Sequence, residues 1–221
     1  MKIFRGTNHD RAMTLLEVII VIAVVGIFAA MLMPALIKMK QHDQRIQCVN
    51  NMKQIGLAFR VWEGNHGGKY PMSVSETNGG SMEFIIGPNA WRHFQVFSNE
   101  LGSPSHLICA ADNSRTAASS FASLSNRNLS YFISVNVTNE NDPDLILSGD
   151  RNLTNGTPIT NGMLTLTTNS PAGWTSAMHV RSGHIGLADG SVELIGTAGL
   201  RAAIERETNA PSRLQMPVLG P

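Results

Sequence analysis

The chain has 221 residues, a formal net charge of +1 and 15% charged residues. That length suits one medium domain with an appendage and leaves little room for two full domains. The balance offers no clustered basic face for nucleic acid, and 6% aromatics with frequent Gly, Asn, Ser and Thr suit short strands and turns better than a helical bundle.

The first segment, residues 1–12, reads MKIFRGTNHDRA and sets Lys2, Arg5 and Arg11 against Asp10. Behind it runs MTLLEVIIVIAVVGIFAAMLM, Met13 to Met33, in which Glu17 is the single charged residue. As a helix at about 1.5 Å per residue this block is roughly 30 Å long, the thickness of a bilayer core. The basic flank predicts a cytoplasmic N-terminus and an external C-terminal bulk. A cleaved secretory signal shares this outline, but its apolar core is shorter, and no A-x-A-like pair follows the block. A plain signal anchor fits as well. A carboxylate deep in an apolar helix costs on the order of 2.5–3.5 kcal/mol and marks function or a partner; near one end of the block, snorkelling of Glu17 towards the headgroups is the simpler account.

The string Ala12-Met13-Thr14-Leu15-Leu16-Glu17 resembles the N-terminal signal of type IV prepilins and type II secretion pseudopilins. The resemblance implies that prepilin peptidase cuts between Ala12 and Met13 and methylates the amino group of Met13. The family usually places Gly before the cut, where this chain has Ala12. Thr14 and Glu17 then belong to the assembly signal, Glu17 neutralising the new amine of a neighbouring subunit. A paired charge is tolerable in low dielectric where an isolated one is not, so the pair acts as a register device for stacked helices. Gly26 and Pro34 fall at family positions that let the helix bend. Other implied partners are further pilin-like subunits, an inner-membrane assembly platform and membrane lipid. The implied location is the inner membrane with a periplasmic head, then a pseudopilus or surface pilus.

Past Pro34 the pattern stays helical to about Glu63. Ile46, Val49, Met52, Ile55, Phe59 and Trp62 recur every three or four residues, which predicts one buried face. Gly64, Asn65, Gly67 and Gly68 stop the helix. A short helix is expected over Ala90 to Leu101, and strands over 129–137, 144–148, 163–168, 184–188 and 191–195. The last two flank Asp189-Gly190, a strong hairpin signal. A final helix is expected over 198–207. The predicted organisation is a leader (1–12), an apolar assembly helix (13–34), an amphipathic stem (35–63), a head (64–210) and a loose tail (211–221). The fold class is α+β, with the long N-terminal helix packed on a small antiparallel sheet in the pilin-like manner.

Cys48 lies on the stem and Cys109 in LICAADN. Outside the cytoplasm a disulfide between them persists; two buried thiols are the alternative, and no CxxC or histidine spacing points to metal. His179 and Asp189-Gly190, with Cys48 and the following NNMKQIGLAF (50–59), and Ser148-Gly149-Asp150-Arg151-Asn152, resemble a pilin-like group abundant in planctomycetes and verrucomicrobia. A metal or catalytic pair of His179 and Asp189 is one reading; a hairpin turn plus a histidine bonded to nearby backbone is the simpler one. His184 reads as a strand residue. Asp142, Asp144 and Asp150 supply oxygen ligands suited to calcium, although no EF-hand spacing accompanies them and a solvated loop accounts for the acidity. No cofactor is expected otherwise. No nucleophile elbow, HExxH, P-loop or dinucleotide fingerprint occurs, so a structural subunit is expected, not an enzyme. The competing class is a membrane-anchored binding module that does not polymerise.

Overall fold

The computed structural model describes residues 15–139, 141–159, 161–207 and 211–219. Ala12, Met13 and Thr14 therefore lie outside the described residues. The chain divides into two compact units, with the boundary between His42 and Asp43.

One helix, α1 (Leu15–Asn65), begins in the first unit and ends in the second. Within the first unit every described residue is exposed. Mean hydropathy over an 18-residue window of α1 reaches 2.9, and none of that window is buried, so the segment is long and apolar enough to cross a membrane. Pro34 sits inside the helix. Its ring removes one helix hydrogen bond, yet the helix runs through it without a break.

From Asp43 onwards α1 is amphipathic. Its buried face carries Cys48, Met52, Ile55, Phe59 and Trp62, a seam at spacings of four and three. The predicted stripe needs one correction at its start. Ile46 is 46% exposed and Val49 only half-buried, because the seam begins at Cys48.

The sheet of the second unit is antiparallel and six-stranded, built from β1 (Tyr131–Ser134), β2 (Ile146–Asp150), β4 (Met163–Leu166), β6 (Ser182–Leu187), β7 (Val192–Gly196) and β8 (Ser212–Gln215). Its order is β4-β8-β1-β2-β6-β7; β3 (Leu153–Thr154) and β5 (Gly173–Trp174) form a separate pair. One face meets α1: Met52, Ile55 and Phe59 join Tyr131, Ile133, Leu147 and Ala188 in one core. The other face carries Phe132, Ile146, Ile185 and Leu214 and is covered by Leu200, Ala203 and Ile204 of α4 (Thr197–Arg206). Burial on both sides explains why β1 and β2 are enclosed along their whole length instead of alternating in and out.

The tail differs from expectation. Residues 212–215 are not loose but form β8 inside the sheet, paired to β4 on one side and β1 on the other. Leu214 and Gln215 are fully buried and Met216 nearly so. The segment is short and bounded by Pro211 and Pro217, which hid it, although prolines lacking a donor suit the ends of a strand. The helix expected over 90–101 is also broken, into α2 (Ala90–Val96) and α3 (Ser98–Leu101), with Phe97 between them in non-helical geometry.

Candidate functional site

The string Ser148 to Asn152 leaves β2 carrying a set of committed side chains. Gly149 has no room for a side chain: a Cβ there would lie 2.6 Å from the Phe132 ring. That close approach lets β1 and β2 stack tightly. Arg151 turns away from the core and grips Asp112, Nε to Oδ2 at 2.6 Å and Nη2 to Oδ1 at 2.7 Å. Ser130 Oγ donates to the same carboxylate at 2.9 Å. Burial pushes the Asp112 carboxyl up, but the hydrogen bonds from Arg151 and Ser114 and the Arg151 charge outweigh it and leave the pKa below the ordinary value. Asn152 Nδ2 donates to Thr175 O and Ser182 O, both at 3.0 Å. It thereby clamps the two ends of the segment that carries His179.

Asp150 is fully buried. Its register partner across β1 is Tyr131, and the β2–β6 pairing that sets Gly149 against Ile185 brings Asp150 opposite His184. Cross-strand partners share a face, so Tyr131, Asp150 and His184 form one polar row on the side covered by α1. Asp150 Oδ2 accepts from the His184 backbone N–H at 2.7 Å and lies 2.9 Å from His184 Nδ1 and 3.5 Å from His179 Nε2. The two imidazoles meet edge to face at 4.6 Å. Burial lowers the His179 pKa; the Asp150 charge opposes that shift, while His184 and Arg45 reinforce it. Burial, then the Asp150 charge, drives the Tyr131 phenol well above its usual range.

A disulfide roofs this cluster. Cys48 and Cys109 are joined, with Cα atoms 4.9 Å apart and both side chains enclosed. Cys109 Sγ lies 3.3 Å from His179 Nε2. The alternative pairing of His179 with Asp189 does not form. Asp189 is exposed on the β6–β7 turn, where its Oδ1 accepts from Ser191 N at 2.8 Å and Gly190 takes φ +82°. The hairpin is therefore present, and His179 Nε2 lies 3.3 Å from Cys109 Sγ and 3.5 Å from Asp150 Oδ2. Nor does the structure gather the calcium set. Asp142 and Asp144 are exposed, Asp144 facing Arg206 at 3.9 Å, while Asp150 is enclosed at the far end of β2, roughly 13 Å beyond Ile146 at about 3.3 Å per residue. His184 does lie on a strand, but sequence reading missed its role. The only available signal was the run Ser148 to Asn152.

The N-terminal half of α1 presents a different surface. Leu15, Ile19, Ile22, Phe28, Leu32 and Leu36 are all more than half exposed, and Glu17 stands in the first turn. A helix with apolar side chains all round its surface demands an apolar solvent. A family model described as the prokaryotic N-terminal methylation motif matches residues 7–33. The chain thus carries a prepilin-type signal on a membrane-anchoring helix. The motif supports a type IV pilin- or pseudopilin-like precursor and implies processing by prepilin peptidase and assembly with other pilins. No curated protein and no solved structure matches the chain.

Proposed function

We propose that this precursor is a structural subunit of a type II secretion pseudopilus or a type IV pilus. Cleavage after Ala12 and methylation of Met13 liberate an amino terminus beside apolar helix. Thr14 and Glu17 then set the register of each subunit against the next, with Glu17 facing the amine of a neighbour. The observation that carries this reading is the prepilin-type motif over 7–33 running straight into a helix whose described residues stay exposed up to His42. From Leu15 to Met39 the apolar surface spans about 37 Å at roughly 1.5 Å per residue, more than the bilayer core of about 30 Å requires. A surface of that length suits lateral packing against identical stems once the subunit leaves the membrane. Gly26, with its low helix propensity, and Pro34, which removes a helix hydrogen bond, give the stem two points of compliance.

Replacing Glu17 by Ala tests the proposal. The variant should insert in the membrane and keep a folded, disulfide-bonded head, yet fail to enter filaments when co-expressed with the assembly machinery. Filaments at wild-type yield would overturn it.

A further inference from the structure

We propose that Asp150, His179 and His184 form a binding site for a divalent transition-metal ion of the zinc class. The donor atoms of these three residues all lie within 4.8 Å of one another. A tetrahedral ion with metal–nitrogen and metal–oxygen bonds near 2.0–2.1 Å holds its ligand atoms about 3.3 Å apart. The Asp150 Oδ2 separations of 2.9 Å to His184 Nδ1 and 3.5 Å to His179 Nε2 bracket that value. Two imidazoles and one carboxylate suit zinc, cobalt or ferrous iron better than the all-oxygen preference of calcium.

The second observation concerns what the protein leaves unsatisfied. Asp150 Oδ1 is enclosed and has no hydrogen-bond partner among the described residues, so the carboxylate keeps a second oxygen to offer an ion. His184 Nε2 is also enclosed and unpartnered among them, but it points away from an ion held through Nδ1. A buried polar atom without a partner is destabilising, and a buried carboxylate more so. The nearest guanidinium in sequence, Arg151, is committed to Asp112. A bound cation supplies the missing charge for Asp150 at the centre of the row. Positioning comes from the surroundings: Asn152 fixes both ends of the His179 segment, and the disulfide limits the site beside His179. The segment closes in a tight turn, Ser182 N to His179 O at 3.3 Å, with Arg181 at φ +48° and Val180 71% exposed. This turn covers His179 and is the route by which an ion reaches the ligands. A bound ion pins the turn to β2 and β6, so the head gains stability from metal.

The test uses the full chain in detergent, without a histidine tag, stripped by chelator with its disulfide intact. Titration with Co²⁺ should give d–d absorption saturating at one ion per chain, and Zn²⁺ should displace it and raise the melting temperature. X-ray absorption of the zinc-loaded wild type should show nitrogen and oxygen neighbours without sulfur. His179→Gln and His184→Gln should each weaken Co²⁺ binding at least about tenfold, while His106→Gln, whose imidazole bonds Leu101 O, should bind as wild type. Circular dichroism verifies that each variant is folded; if the site variants fail to fold, the wild-type titration and absorption spectrum decide alone. Absence of stoichiometric uptake by folded wild type, a coordination shell containing sulfur, or undiminished binding in both folded site variants would overturn the proposal.

Discussion

His93 provides the sharpest quantitative test of the head's core. It is fully buried, with Nδ1 2.7 Å from Ser81 Oγ and Nε2 2.5 Å from Gln215 Oε1. Gln215 donates its own amide to Phe84 O and Gly87 O at 2.8 and 2.7 Å, so its Oε1 must accept, and His93 Nε2 carries the proton. Burial lowers the imidazole pKa from 6.5 to about 4, outweighing the hydrogen bonds to Gln215 and the Phe84 backbone that raise it. The unfolded chain takes up a proton near 6.5 and the folded chain does not until about 4. Between those values the unfolded state binds more protons, so stability falls as pH falls. At about 1.4 kcal/mol per pH unit, the loss between pH 7 and pH 4 is about 3 kcal/mol. Urea unfolding of the full chain in detergent, followed by tryptophan fluorescence at both pH values, measures it. The His93→Gln variant removes the titrating group, and its loss over the same interval should be smaller by about 3 kcal/mol. His179 and the acidic groups titrate in both proteins and cancel in the difference. Identical pH dependence in the two proteins would refute the argument.

Three further outcomes follow from the packing. The disulfide closes a sequence separation of 61 residues; the chain-entropy account makes that worth about 4 kcal/mol, so a Cys48→Ala, Cys109→Ala double variant should lose roughly that much in urea unfolding. An alanine at Gly183 would set its Cβ 2.4 Å from the Trp174 ring, and Gly183→Ala should cost about 1–3 kcal/mol with a changed near-ultraviolet signal from Trp174. Asp112→Asn breaks the ion pair with Arg151 and should lower stability at pH 7 by about 2–3 kcal/mol. Because the native carboxyl titrates below its ordinary value, that deficit should be present at neutral pH and shrink as pH falls through the native pKa.

Much of the architecture was legible because it rests on local patterns. Continuous apolarity marked the N-terminal half of α1, three-four spacing marked its buried face, and Asp189-Gly190 marked the turn between β6 and β7. The methylation motif was legible for the same reason, being a contiguous string. What escaped depends on partners distant in sequence. Strand β8 owes its place to β4 and β1 on either side, and the fragment SRLQ has too few residues to show alternation. Asp150 and His184 stand 34 residues apart and meet only through the β2–β6 register. Spacing drew attention to Asp189 as the companion of His179, when the true companion was the aspartate of the preceding strand in the sheet. Cys48 and Cys109 were open to two readings because a buried thiol and a half-cystine look alike in sequence.

The mature N-terminus bears most directly on whether this chain is a pilin-like subunit. Mass spectrometry of the protein purified from its native membrane should find a chain that starts at Met13 and carries a methyl group on its α-amine. A chain retaining residues 1–12 within assembled filaments would contradict the role given to Glu17, and polymerisation through the cleaved helix with it.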